Sequence, residues 1–210
     1  MLLKFIEHER LFAYLFISEL QMDVQLINTD IPEVKLIETA RFTDERGFFM
    51  ESFHKQAFDE LGIPSIYLQD NHSRSKKGVL RGIHYQDMTA PMGKLIRCTV
   101  GEIIDVAVDL RAGSPTFGKH VREVLSDANN RLLYIPEGFG HAFLSLSDST
   151  DVMYKCTGLY SRSSEGTVVW NDSQLGIDWG LEDPIVSDKD GMGKTLEQYL
   201  VEPAFVYQSS

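Results

Sequence analysis

The chain has 210 residues, of which 43% are hydrophobic and 24% charged, so it fits one globular domain and excludes a disordered chain. Asp and Glu (31) outnumber Lys and Arg (20), and the net charge of −11 argues against a nucleic-acid binder or a protein held on acidic membranes. The two cysteines, Cys98 and Cys156, form no C-x-x-C motif, which indicates a reducing and therefore cytoplasmic location.

The first 21 residues differ from the rest of the chain. Their apolar run, residues 11–17, is far shorter than the ~18 residues that span a bilayer, and it lacks the basic start and the cleavage site of a signal peptide. The sequence MDVQLINTD from Met22 onward is typical of a natural protein start. We therefore expect residues 1–21 to be an N-terminal extension and residues 22–210 to form one domain.

Short runs rich in β-branched residues, separated by Gly, Pro and Asn turns, make up most of the chain. The run that contains His84 is treated as a further strand. Helical patterns are limited to residues 55–61, which end at Gly62, and residues 195–200. This spacing predicts an all-β sandwich or barrel with a few short helices. The predicted strands are residues 34–38, 94–100, 103–110, 121–125, 131–135, 141–146 and 152–157.

Basic residues are concentrated between residues 74 and 97, where Asp87 is the single acid. Such a group is either a solvated positive face or a pocket for a small anion such as a diphosphate, which arginine binds with two hydrogen bonds. Strand alternation places Arg81 and His84 on opposite faces, so they converge only if a twist or a bulge interrupts the strand. The basic group consists of Arg74, Lys76, Lys77, Arg81, Lys94 and Arg97.

His84 has three possible roles. It is a packed or surface residue, a metal ligand, or a general base if an aspartate fixes its tautomer. Asp190 is a candidate partner, although an aspartate in this sequence also suits a turn. A metal site needs further close ligands, but Tyr85 and Gln86 follow His84 where a cupin metal motif has a second histidine. The sequence therefore disfavours a metal.

Two tyrosines have open roles. Tyr154 lies in a predicted strand, where an aromatic residue ordinarily packs in the core. A buried phenol with an ordinary pKa near 10 is protonated at neutral pH, so it can also serve as a general acid. Tyr160 either packs or stacks on a planar ligand.

An ordered series of motifs runs from about residue 22 to about residue 195. Each motif is weak alone, but together they resemble the dTDP-4-dehydrorhamnose 3,5-epimerase family. The motifs are DERGFFME (44–51), QDNHS (69–73), GVLRGIHYQ (78–86), GKLIR (93–97), DLR (109–111), GSPTFG (113–118), IPEGF (135–139), YKCT (154–157), WND (170–172), GIDW (176–179) and SDKD (187–190).

The resemblance implies a cupin-like jelly-roll barrel and a homodimeric isomerase that uses neither metal nor cofactor. It implies that C3 and C5 of dTDP-4-dehydro-6-deoxy-D-glucose are inverted through enolates, giving dTDP-4-dehydro-L-rhamnose for dTDP-L-rhamnose and polysaccharide biosynthesis. By motif, His84 corresponds to the base, Asp190 to its orienting partner, Tyr154 to the proton donor and Lys94 to the residue that stabilises the enolate.

The resemblance also implies a set of substrate contacts. Arg46 and Arg81 correspond to diphosphate ligands, Arg46 being supplied to the partner subunit, and Tyr160 corresponds to the residue that stacks on thymine. Gly158 and Leu159 depart from the family pattern just before Tyr160, which leaves the preferred base open. The full set of expected contacts is Arg46, Glu51, Gln69, Asn71, Arg81, His141, Tyr160, Glu165 and Lys189.

Three alternatives remain open at this point. Some relatives invert only C3 or only C5, and the motifs do not separate them from the double epimerase. A non-catalytic cupin that binds sugar nucleotides would keep the pocket without turnover, but the presence of both His84 and Tyr154 argues against it. A metal-dependent cupin isomerase or oxygenase is the third.

Overall fold

The computed structural model describes residues 24–208, so the predicted extension, residues 1–21, lies outside the described residues. The chain divides into two units. One contains Thr39–Ser65 with residues 24–25, and the other contains Leu26–Glu38 with residues 66–208. The extent of the predicted domain, residues 22–210, stays a prediction.

Residues 24–208 form fifteen strands and three short helices. The strands are β1 (Val24–Ile27), β2 (Lys35–Thr39), β3 (Phe42–Asp44), β4 (Gly47–Phe49), β5 (Gln69–Ser75), β6 (Leu80–Gln86), β7 (Lys94–Val100), β8 (Glu102–Asp109), β9 (Arg111–Ala112), β10 (His120–Ser126), β11 (Arg131–Ile135), β12 (Phe139–Ser145), β13 (Thr150–Cys156), β14 (Glu165–Thr167) and β15 (Phe205–Val206). The helices are α1 (Lys55–Glu60), α2 (Asp188–Gly191) and α3 (Leu196–Val201).

Two antiparallel sheets carry the fold. One has six strands in the order β1-β2-β11-β7-β13-β5, and the other has five in the order β10-β8-β12-β6-β14. Neighbouring strands in both sheets are mostly distant in sequence, which is typical of Greek-key connections. The prediction of an all-β fold with few helices is confirmed.

An inner core lies between the two sheets. Because side chains alternate along a strand, β7 turns Ile96 and Cys98 inward, and β8 turns Ile103 and Ala107 inward against them. Phe143 of β12 joins the same cluster. Lys94 on β7 and Asp105 on β8 have the same parity as these residues, so they face the same side of their strands.

An outer core covers the other face of the five-stranded sheet. Ile104 and Val106 of β8 pack there with Trp179 and Tyr199 from the C-terminal part of the chain. The buried hydroxyl of Tyr199 donates a 2.7 Å hydrogen bond to the carbonyl oxygen of Leu110, which fixes the C-terminal segment to the sheet. Helix α3 begins with a capping box between Thr195 and Gln198. The sequence predicted this helix at residues 195–200, one residue earlier.

The smaller unit contains the β3–β4 hairpin and helix α1. Nδ1 of His54 caps the helix by accepting a 3.3 Å hydrogen bond from the backbone N–H of Ala57. Gly62 follows the helix with φ of +66°, a conformation that glycine adopts readily. The predicted helix and its glycine end are confirmed.

Candidate active site

Strand β6 contains a bulge that changes which side chains face inward. His84 pairs with His141 of β12, whereas Arg81 pairs with Phe143, so three steps on β6 match two steps on β12. As a result Arg81 and His84 line the same hollow. Regular alternation alone would have separated these two residues, and the bulge is the irregularity that lets them converge.

Gly82 makes this bulge possible. Its φ is +123°, which side-chain-bearing residues rarely adopt. A Cβ atom there would lie 2.5 Å from both the Cβ of Ala142 and the carbonyl oxygen of His141. The backbone N–H of Gly82 approaches Oδ2 of Asp190 at 3.4 Å, so the absence of a side chain lets the strand come close to the neighbouring elements.

The bulge brings His84 against Asp190. Nε2 of His84 lies 2.6 Å from Oδ1 of Asp190, a charge-assisted hydrogen-bond distance. Asp190 belongs to α2, where its backbone N–H donates to the capping hydroxyl of Ser187 at 3.2 Å. Burial alone would raise the pKa of Asp190, but the hydrogen bonds from His84, Gly82 and Ser187 outweigh it and lower the pKa. The carboxylate thus accepts the Nε2 proton and leaves Nδ1 of His84 free to take another.

A cavity of about 150 Å³ opens beside His84. Inward alternation on β7 and β13 brings Lys94 and Tyr154 into its wall, and β5 contributes Asn71. The lining residues are Gln69, Asn71, His84, Tyr85, Gln86, Met92, Lys94, Tyr154, Tyr160 and Glu165. The four residues with predicted catalytic roles, Asp190 through its bond to His84, therefore come together in one place.

Two groups in this wall have shifted pKa values. Burial lowers the pKa of Lys94, and the carboxylates of Asp105 and Glu165 oppose the shift. Burial raises the pKa of the Tyr154 phenol, which keeps it protonated at neutral pH. The cavity wall thus combines a phenol that can donate a proton, the amine of Lys94 and the imidazole of His84.

The mouth of the cavity is held by polar contacts among predicted substrate ligands. Gln69 donates to Oδ1 of Asn71 at 2.9 Å and accepts from the backbone N–H of Tyr160 at 2.9 Å. The hydroxyl of Tyr160 donates to Glu165 at 3.1 Å, and Glu165 forms an ion pair with Lys189. Lys189 also lines the hollow that contains Arg81 and His84.

The predicted basic group does not form one patch. Lys94 faces inward, whereas Arg97, an odd number of residues away on the regular strand β7, faces the opposite side. Arg74 is neutralised by two hydrogen bonds to Asp151, at 2.6 and 2.7 Å. The cluster in the sequence therefore does not correspond to a single basic surface. Strand alternation turns its members to different sides, and an ion pair neutralises one of them.

Arg46 and Glu51 lie in the smaller unit. Arg46 is exposed in the β3–β4 turn, where its guanidinium group pairs with Asp44, and Glu51 is exposed just after β4. Their roles as substrate contacts stay predictions.

A further pair near the cavity was not anticipated from the sequence. Nε2 of His141, predicted only as a substrate contact, lies 2.7 Å from Oδ1 of Asp105. Asp105 is fully buried on β8. The available signal was a lone carboxylate in an otherwise apolar strand, IIDVAV, where an apolar residue is expected.

Within residues 24–208, no group of three or more His, Cys, Asp or Glu side chains is placed to hold a metal ion. None of the helices in that range is long and apolar enough to cross a membrane.

Comparison with known proteins gives concordant matches. The family model of dTDP-4-dehydrorhamnose 3,5-epimerase matches residues 28–198. The enzyme of that name from Salmonella typhimurium is 51% identical over 178 residues, 84% of this chain and 97% of the relative. The one from Pseudomonas aeruginosa is 53% identical over 168 residues, 79% of this chain and 92% of the relative.

Among solved structures, dTDP-6-deoxy-D-glucose-3,5-epimerase from Legionella pneumophila, in complex with dTDP-4-keto-L-rhamnose, superposes with a TM-score of 0.84 at 47% identity. The superposition covers 89% of this chain and 100% of that one. The cupin-like jelly-roll prediction is therefore confirmed. The chain belongs to the dTDP-4-dehydrorhamnose 3,5-epimerase family of isomerases.

Proposed function

We propose that this chain inverts C3 and C5 of dTDP-4-dehydro-6-deoxy-D-glucose and releases dTDP-4-dehydro-L-rhamnose, as a step of dTDP-L-rhamnose and polysaccharide biosynthesis. Family membership supports the reaction, and the Legionella relative binds a dTDP-4-keto sugar. The observation that carries the mechanism is the meeting of His84, Lys94 and Tyr154 in one cavity wall, with Asp190 bonded to His84.

Proton abstraction is the first step. C3 and C5 both flank the C4 ketone, so removal of either proton produces an enolate whose charge lies on the C4 oxygen. Nδ1 of His84 accepts the proton, and Asp190 stabilises the resulting imidazolium through Nε2. The Lys94 ammonium stabilises the developing oxyanion, by analogy with an oxyanion-hole donor that contributes ~2.7–4 kcal/mol.

Reprotonation from the other face completes each inversion. Tyr154 donates its phenolic proton to the carbon, and the C4 carbonyl re-forms. The phenolate then takes a proton from solvent, and His84 releases to solvent the proton that it removed from the substrate. The hydrogens on C3 and C5 of the substrate point to the same face of the ring, so one base and one acid serve both carbons. The raised pKa of Tyr154 favours its neutral, donating form.

The nucleotide end is held outside this centre. Arg81 and Lys189 share the hollow next to His84 and supply positive charge for the diphosphate. Tyr160, 55% exposed, offers a ring on which thymine can stack, and Gln69, Asn71, His141 and Glu165 contact the substrate. We further propose a cytoplasmic homodimer in which Arg46 and Glu51 complete the site, with Arg46 reaching the site of the partner subunit.

Deuterium incorporation tests the proposed reaction. In D₂O, product analysed by mass spectrometry and NMR is expected to contain one deuteron at C3 and one at C5. His84→Asn is expected to abolish incorporation, while His72→Asn, a matched change at an outward-facing histidine of β5, keeps it.

The alternatives give different results in the same measurement. One deuteron at a single carbon identifies a single-site epimerase. Binding of the dTDP-sugar without any incorporation identifies a non-catalytic protein. Loss of incorporation after chelation, with recovery on adding metal, identifies a metal-dependent enzyme.

A further inference from the structure

The buried pair of Asp105 and His141 is unusual for a protein interior. Asp105 lies between Ile103 and Ala107 on β8, both members of the inner core. Its Oδ1 accepts from Nε2 of His141 at 2.7 Å, whereas its Oδ2 is buried with no hydrogen-bond partner among residues 24–208. A buried carboxylate with an unsatisfied oxygen lowers stability. Stability alone therefore does not explain a carboxylate at this position.

The imidazole of this pair faces the catalytic groups. His141 is the register partner of His84 on the adjacent strand, and its ring approaches that of Tyr154 edge-on at 6.4 Å between centroids. Lys94 and His84 are both close enough to influence its pKa. The pair thus connects the inner core to the cavity wall.

The hydrogen bond determines which ring nitrogen carries the proton. A carboxylate only accepts, so Nε2 of His141 is the protonated nitrogen, and Nδ1 keeps its lone pair. Nδ1 bonds to none of the described residues. Burial lowers the pKa of His141 despite the opposing charge of Asp105, which keeps the ring neutral. A neutral ring in this tautomer is a hydrogen-bond acceptor.

We propose that Asp105 is a positioning residue that fixes His141 in the tautomer protonated at Nε2, so that Nδ1 accepts a hydrogen bond from a hydroxyl group of the bound sugar. This inference rests on the proposed epimerase function and adds a residue to it. Without the carboxylate, His141 can place its proton on Nδ1 and donate instead. The sugar then sits less accurately against His84, and small displacements of that kind reduce the rate.

The test combines kinetics, stability and a spectroscopic signature in Asp105→Leu, which removes the acceptor at similar size. We expect kcat/KM to fall roughly 10–100-fold, the range for residues that orient a histidine ligand, while Tm is unchanged or rises. ¹⁵N NMR of histidine-labelled protein is expected to show His141 protonated at Nε2 in the wild type and a mixture of tautomers in the variant.

The double variant separates positioning from simple structural support. When Asp105→Leu is added to the His141→Gln variant, we expect no further loss of kcat/KM. Equal losses in both backgrounds, together with a lower Tm, would overturn the proposal, as would wild-type kinetics in Asp105→Leu. If Asp105→Leu does not fold, Asp105→Asn carries the test, because kcat/KM should follow the fraction of His141 protonated at Nε2.

Failure of this inference is distinct from failure of the proposed function. A wild-type chain that incorporates no deuterium contradicts the epimerase reaction itself. An active wild type with an unaffected Asp105→Leu variant contradicts only the role of Asp105.

Discussion

His84 and His141 lie on neighbouring strands, and each bonds to an aspartate through Nε2, but the surroundings of the two pairs differ. The side chain of His84 is 30% exposed, and its partner Asp190 is held by a short helix. The side chain of His141 is 7% exposed, and its partner Asp105 lies in the inner core. A base must exchange protons with substrate and solvent in every cycle, so the more open pair suits proton transfer and the enclosed pair suits fixed orientation.

The largest expected effect separates the two histidines. His84→Asn should lower kcat by ~10²–10⁴-fold, the contribution of a general base, with nucleotide binding measured by calorimetry largely kept. His141→Asn should cost less, because it removes a contact and leaves the base in place. Equal losses of kcat in the two variants would contradict the division of roles.

Gly82→Ala tests the bulge that brings His84 to its partner. The added Cβ would meet Ala142 and the carbonyl oxygen of His141 at 2.5 Å, so we expect the free energy of unfolding to fall by about 1–3 kcal/mol, as in overpacked cores. Gly113→Ala is a control, since a Cβ at Gly113, also at positive φ, meets nothing within 4 Å. A wild-type Tm in Gly82→Ala, measured by calorimetry, would show that the strand tolerates the side chain.

Asp190→Asn compares the open pair with the enclosed one. Loss of the carboxylate should lower kcat by roughly 10–100-fold through misorientation of His84. The pKa of Asp190 is lowered in the folded state, so the carboxylate stabilises the protein above its unfolded pKa of about 3.9 and loses this effect as pH falls. The Tm difference from wild type should therefore be larger at pH 6 than at pH 3. The opposite trend would contradict the ionic bond.

A third pair, His72 and Asp151, extends the comparison to the surface. Arg74 holds the pKa of Asp151 at about 2 through its hydrogen bonds, with His72 also contributing. Because this pKa is lowered, the stabilisation is present above pH ~4 and is lost as pH falls towards 2. Asp151→Asn should cause a small drop in Tm near neutral pH, a still smaller drop near pH 2 and no change in kcat. A lower kcat would show that this edge of the sheet contributes to catalysis, contrary to the expectation.

The sequence predicted the regular strands well and the polar ones poorly. Strands β7 and β11 begin and end at the predicted residues, because apolar alternation and flanking turns mark them. Strand β5, with the sequence QDNHSRS, was missed because backbone pairing to β13 holds it and its polar side chains give no hydrophobic signal. Helix α2 was missed because four residues rich in Asp and Gly resemble a turn.

The candidate site was predicted from a resemblance more than from local pattern. Local pattern allowed Arg81 and His84 to converge only through a twist or bulge, and it did not show that Gly82 provides one. It also gave no partner to His141, because pairing with Asp105 depends on the register of β8 and β12. Contacts set by long-range strand register are therefore the part that the sequence alone did not reveal.

If His84 and Tyr154 act on opposite faces of the same sugar ring, proton abstraction and proton return depend on different side chains. Tyr154→Phe in D₂O separates the two steps, by comparing the rate of proton loss from the substrate with the rate of inverted product. We expect proton loss to continue while inversion falls, and Tyr207→Phe to change neither. Equal decreases in both rates, or wild-type inversion in Tyr154→Phe, would contradict this expectation.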